Sequence, residues 1–282
     1  MPSLMDVSTA KVDRALKVAI ALLNGRQAGE PRYGRRARSV GCAVTSSGFS
    51  QRWLKVKWAP AGEVDRLMWD GELLSICFED VSKPRIFAHF DWEANGDRYR
   101  ALAMAVARGI VSETPRLDRM PVLEPRWWDR LEHALASIQA RPTDRTRFDD
   151  AVIGRRLREQ FSLNLRLPFP FWQTAHGDLH WANLTAPEFS ILDWETWGRA
   201  PYGLDVARLH LFALTEPRMI AKLKELFAVV MAKPQYDVAF LFIAAAVIRL
   251  FDQHGYYPRL QADVRREVSR MLQEGRIAEF CE

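Results

Sequence analysis

Cysteine is scarce in this chain. Cys42, Cys77 and Cys281 are the three in 282 residues, scattered and without the paired spacing of a metal site. That argues against a disulfide scaffold and suits a reducing cytoplasm, the expected location. Long hydrophobic runs are also missing. The longest, Val238 to Ile248, is too short to cross a bilayer and ends at Arg249. From Met1 to Lys17 no positively charged run leads into an apolar core, so neither a signal peptide nor a membrane partner is expected. There is no internal repeat, no low-complexity tract, no aromatic-interleaved RNA motif and no zinc-finger spacing, which weighs against nucleic acid as a partner. Acidic residues are thin at one end. Between Met1 and Lys57 stand eleven Lys or Arg (Lys11, Arg14, Lys17, Arg26, Arg32, Arg35, Arg36, Arg38, Arg52, Lys55, Lys57), opposed by only Asp6, Asp13 and Glu30. Such a basic third can attract nucleotide phosphates or an acidic peptide or protein.

What is present is an ordinary globular composition, 48% hydrophobic and 27% charged, in a chain long enough for one large domain or two lobes. Val12, Leu16, Ala19, Ile20 and Leu23 recur at helical spacing over Thr9 to Leu23. The polar stretch Asn24 to Arg38 reads as an exposed connection. Ser39 to Thr45 and Phe49 to Trp58 flank Ser46-Ser47-Gly48 as a hairpin. Glu63 to Cys77 turns helical, and Arg85 to Trp92 with Tyr99 to Ala107 reads as two strands around Asn95-Gly96. Ser112 to Pro125 is a proline-rich linker. Helical periodicity follows over Trp127 to Ala140, Phe148 to Phe161, Asp205 to Leu214, Pro217 to Val230, Tyr236 to Phe251 and Ala262 to Ile277. The fold class expected is α+β, a small sheet-rich lobe followed by a helical lobe.

The chemistry concentrates in His176-Gly177-Asp178-Leu179-His180-Trp181-Ala182-Asn183 and, ten residues on, Asp193-Trp194-Glu195. The apolar runs Phe171 to Ala175 and Leu184 to Leu192 lead into these clusters as strand-like or extended segments. A carboxylate that orients an attacking hydroxyl, with an amide oxygen and a second carboxylate to hold magnesium, is the set that phosphoryl transfer requires. Asp178 to Asn183 has the Asp-x-x-x-x-Asn spacing of a kinase catalytic loop. His176, Asp178, His180 and Asp193 are equally a donor set for zinc or a dinuclear metal in a hydrolase. Upstream evidence favours the first chemistry. Arg52-Trp53-Leu54-Lys55-Val56-Lys57-Trp58 is a strand pattern with lysines inside it, seventeen residues from Lys55 to Glu72 in the predicted helix. Lys55 and Lys57 share a face, and Glu63 competes with Glu72, so spacing alone chooses neither partner. Trp181 and Trp194 either shield the site from water or fill core, and His176 reads as a support for the loop backbone.

These residues resemble the signature of the aminoglycoside phosphotransferase and choline kinase superfamily, small-molecule kinases with a protein-kinase-like fold. The resemblance runs in order from about Ser39 to Leu214 and is specific at the catalytic loop. It implies a bilobal fold, with an ATP-binding lobe over residues 1–108 and a helical catalytic lobe over 109–282. It also implies ATP and Mg2+ as cofactors, Asp178 as catalytic base, and Asn183 and Asp193 as metal ligands. Lys55 is implied as the phosphate-binding lysine with Glu72 as its helix partner, and an adenine site near Ala105, Ala107 and Gly109. Asp205 resembles the helix aspartate that braces the catalytic loop. Two departures stand out. Ser46-Ser47-Gly48-Phe49-Ser50, taken as the nucleotide-covering loop, lacks a Gly-x-Gly pattern, and a helix with a basic connection precedes the first strand.

The acceptor is less defined. From Pro201 to Glu282 eleven basic residues face ten acidic ones, so this half is nearly neutral. That lowers the case for a polycationic aminoglycoside and leaves a hydroxylated metabolite or antibiotic of lower charge, as in antibiotic resistance. The alternatives are Ser or Thr of a precursor peptide in natural-product maturation, and a pseudokinase that binds nucleotide as a regulatory partner.

Overall fold

The computed structural model describes residues 4–34, 37–254 and 258–282. Arg35 and Arg36 of the basic connection lie outside the described residues. Contacts divide the chain into two units, Met1–Trp69 with Lys83–Arg108, and Asp70–Ser82 with Gly109–Glu282.

The first unit is a twisted antiparallel sheet under one helix. Helix α1 (Leu4–Leu22) buries Val12, Ala15, Leu16 and Ala19, one stripe at helical spacing. Strands β1 (Gly25–Gln27) and β2 (Arg32–Tyr33) lie inside the stretch read as a bare connection, and both pair with β3 (Ser39–Ser46). Three- and two-residue strands carry too little alternation to register in a polar sequence. β3 turns directly into β4 (Phe49–Pro60), with Ser46 opposite Phe49. In β4 Leu54 and Val56 face the α1 core, which puts Lys55 and Lys57 on the other side. Helix α2 (Arg66–Leu74) follows, shorter than the run Glu63 to Cys77 because short 3-10 turns take both flanks. β5 (Ile86–Ala94) and β6 (Asp97–Met104) close on Asn95 and Gly96 at φ 53° and 77°, the left-handed pair of a tight hairpin turn. The sheet order is β1-β3-β4-β6-β5, with β2 beside β3.

The second unit is mainly helical. Helix α3 (Pro125–Ala140) starts on a proline that donates nothing at a position needing no donor, and buries Trp127, Trp128, Leu131 and Leu135. Helix α4 (Asp150–Phe161) is capped by Asp149, whose side chain accepts from Val152 N at 2.8 Å. β7 (Trp172–Ala175) and β8 (Gly198–Pro201) form a two-stranded ribbon. Helices α5 (Leu204–Leu211), α6 (Pro217–Leu226), α7 (Ala228–Met231), α8 (Pro234–His254) and α9 (Pro258–Glu274) complete it. Long and apolar enough by length and composition to cross a membrane, α8 has 72% of that window buried within the fold. It packs on α4, α5 and α9, and each fully buried Phe such as Phe240 or Phe242 contributes roughly 2 kcal/mol.

Candidate active site

The catalytic-loop motif starts where β7 ends. Asp205, at the start of α5 and 2% exposed, accepts hydrogen bonds from His176 N at 2.7 Å and Gly177 N at 3.0 Å. Burial pushes its pKa above the ordinary carboxylate value, against the pull of nearby His176 and of those two bonds. Gly177 takes φ +83°, and a side chain there would put its Cβ 2.7 Å from the Thr196 carbonyl oxygen. His176 is fully buried, with Trp194 edge-on at 4.9 Å, and neither ring nitrogen has a hydrogen-bond partner. Burial lowers its pKa against the pull of Asp205, Asp178 and Asp193.

Asp178 emerges from this braced base with its side chain 34% exposed. Its Oδ1 accepts from Arg208 of α5 at 2.5 Å, and His180 Nε2 lies 3.8 Å from Oδ2. Burial pushes the Asp178 pKa up, but the Arg208 charge, with His180, His176 and Arg147, outweighs it and holds the carboxyl below its usual range. Burial likewise keeps His180 below the ordinary histidine value.

Asn183 donates its side-chain amide to Asp178 O at 2.9 Å, and its own backbone carbonyl accepts from Leu192 N at 2.9 Å. The run Leu184 to Leu192 is therefore not a strand. It doubles back, with Leu184 bridging Ile191, and so brings Asn183 beside the backbone that carries Asp193. Asp193 holds φ 61°, a conformation that Asp tolerates better than most residues. Trp181 and Trp194 are buried core, their indole N–H groups donating to Leu209 O and Ile191 O.

Among the described residues, one group of carboxylates can converge on a cation: Glu72, Asp193 and Glu195, with one oxygen each within 4.8 Å of the others. Glu72 is buried on α2, whereas Glu63 is exposed outside that helix. The approach is made possible by Gly71, where a Cβ would stand 2.2 Å from Glu195 O, while Trp197 Nε1 donates to Gly71 O at 2.8 Å. Sequence reading missed both Glu195 and Gly71. The signal available was Glu195 itself, two residues past Asp193 in the same motif. This convergence excludes His176 and His180, so the zinc-hydrolase donor set is not assembled. Asn183 and Asp193 offer the hard oxygens that suit magnesium.

In the first unit, Lys57 is 7% exposed, donates to Met68 O at 3.0 Å and lies 5.5 Å from the Trp69 ring centre. Arg100, opposite Lys57 on β6, donates to Trp69 O at 2.7 Å and clasps Asp91 through two 2.8 Å bonds. Lys57 thus serves α2, and Lys55 is the half-buried lysine on the same face. Ala105 N donates to Arg85 O, Ala107 is exposed, and Gly109 in the second unit presses its backbone on Ala186 at φ +64°. The hairpin Ser46 to Ser50 joins the second and third strands of the sheet path. With the lysine strand β4 third in that path, the first two strands, β1 and β3, are separated in sequence by a segment that contains β2.

No family model matches the chain, and no curated protein matches it. Solved structures do. Amicoumacin kinase in complex with AMP-PNP, Ca2+ and its antibiotic is 14% identical, with TM-score 0.59 over 95% of this chain and 94% of that one. A thermostable mutant of aminoglycoside phosphotransferase APH(4)-Ia with ADP and hygromycin B is 10% identical, with TM-score 0.61 over 92% and 98%. A putative fructosamine-3-kinase from Haemophilus somnus is 9% identical, with TM-score 0.54 over 96% and 99%. Along nearly its whole length the chain has the fold of the protein-kinase-like small-molecule kinases.

Proposed function

We propose that this chain is an ATP-dependent phosphotransferase that moves the γ-phosphoryl group to a hydroxyl of a small metabolite or antibiotic. The observation that carries this reading is Asp178, a part-exposed carboxylate held anionic by Arg208, with Asn183 and Asp193 registered beside each other through the Leu192 N to Asn183 O bond. Asp178 accepts or orients the proton of the acceptor hydroxyl. The Asn183 amide oxygen and the Asp193 carboxylate are the proposed magnesium ligands, with Glu195 and Glu72 close enough to Asp193 to brace or extend the set. When bound, the metal neutralises charge on the transferred phosphate.

The first unit is the proposed nucleotide-binding lobe. Lys55 is favoured over Lys57 for the ATP phosphates because it is the more exposed of the two on their shared sheet face. The segment around β2, between the first two strands of the sheet path and one strand ahead of the lysine strand β4, would cover the phosphates in place of the Ser46–Ser50 hairpin, and Ala105 to Gly109 would meet adenine through backbone groups. The test is acceptor-dependent ATP consumption by the purified protein across aminoglycosides, amino alcohols, hydroxy acids, nucleosides and Ser/Thr peptides. Asp178→Ala should abolish it. Unchanged consumption in that variant sinks the assignment, and ATP binding without turnover on any acceptor favours a nucleotide-binding partner protein instead.

A further inference from the structure

Two guanidinium groups, Arg208 and Arg147, act on the Asp178 carboxyl. Arg208 meets Asp178 at 2.5 Å and keeps a buried Nε with no hydrogen-bond partner. Half-buried Arg156 on α4 stands 4.1 Å from the Phe242 ring centre and 6.0 Å from that of Phe148, and donates to Phe242 O at 3.5 Å. Arg147 sits 5.7 Å from the same Phe148 ring, and Phe148 meets Phe242 edge-on at 5.1 Å. Arg147 and Arg156 therefore share one aromatic ledge. On α8, exposed Arg249 follows Phe242 by seven residues, about two helical turns, and so lies on the same face. Among the described residues neither Arg156 nor Arg249 forms an ion pair with a carboxylate. After burial, the charges that weigh on Arg156 are Arg208, Arg249, Arg155 and Arg147, and together they press its pKa down to about 10.

Like charges gathered in a half-buried place destabilise the fold unless an anion joins them, and a guanidinium fork matches carboxylate and phosphate oxygens. We infer that Arg156, Arg249 and Arg208, with Arg147 at the edge, form an anion subsite, and that the molecule phosphorylated beside Asp178 carries a carboxylate or phosphate group as well as its hydroxyl. The second half of this statement rests on the kinase reading; the anion subsite does not. A polycationic acceptor meets repulsion here.

Calorimetry on the full chain with glycerol, glycerate, glycerol 3-phosphate and 3-aminopropane-1,2-diol varies charge on one small hydroxylated skeleton. Both anions should bind about tenfold or more tightly than the neutral and cationic compounds, as a charge-assisted contact requires. Arg249→Glu, at an exposed position, and Arg156→Gln should each remove most of that preference. Arg266→Glu, the same charge change on an exposed α9 position, should leave it intact. Preference between glycerate and glycerol 3-phosphate names carboxylate or phosphate as the group. Equal binding of all the compounds, or anion binding indifferent to both Arg249→Glu and Arg156→Gln, overturns the subsite. Anion binding that behaves as expected while no acceptor draws Asp178-dependent ATP consumption leaves the subsite standing and removes the kinase reading.

Discussion

Asp178 and Asp205 sit within one loop-and-helix cluster and have opposite electrostatic fates. Asp205 is buried, tied to two backbone N–H groups, and its pKa is raised. Asp178 is one-third exposed, paired with a guanidinium, and its pKa is lowered. Burial acts on both in the same direction. What separates them is the full charge of Arg208 at contact distance, set against dipolar backbone donors. The first carboxylate shapes the loop, and the second is left anionic and part-exposed.

The strongest way to break that contrast is Asp178→Asn. It should lower acceptor-dependent turnover by about 10³-fold, the scale of a lost general base, with little change in melting temperature. A stability loss with activity retained would reverse the two roles. Asp205→Ala should instead lower stability by about 3 kcal/mol in urea unfolding, because two buried N–H donors lose their carboxyl acceptor. Further along α5, His210 bonds Tyr236 at 2.7 Å and burial depresses its pKa to about 4. Its folded pKa lies below the unfolded one, so the stability it contributes is complete above about pH 6.5 and is lost as pH falls toward 4. That loss is on the order of 3 kcal/mol, and His210→Gln should flatten this acid limb of the urea midpoint against pH. The smallest effect separates the two lysines. Lys57→Met should cost about 1 kcal/mol of stability through its lost bond to Met68 O. Lys55→Met should raise the KM for ATP, and an unchanged KM would remove Lys55 from the phosphate site.

Most of the element order was legible because it is written locally. The Asn95-Gly96 turn, the α1 stripe and the α3 and α4 periodicities each lie within a few turns of chain. Asp178, Asn183 and Asp193 were legible by spacing, yet the segment between the last two was misread as extended. An apolar run of nine residues has no periodicity that tells a strand from a doubled-back loop buried on both sides. Two-residue β2 and three-residue β1 were invisible for want of length. Lys55 and Lys57 were equivalent on the strand. In the fold Lys57 is buried and bonded to the Met68 carbonyl of α2, and Lys55 is half-buried.

By itself the sequence determined the catalytic-loop motif, the alternation that puts both lysines on one sheet face, and a charge balance near zero over its last eighty or so residues. Tertiary structure decided where the charges meet. Arg147, Arg156, Arg208 and Arg249 are spread over about a hundred residues and look unremarkable in a count, but with α4 and α5 packed on α8 the other three all act on Arg156. Net charge sums over the chain, whereas a substrate responds to the few charges within a Debye length of where it binds.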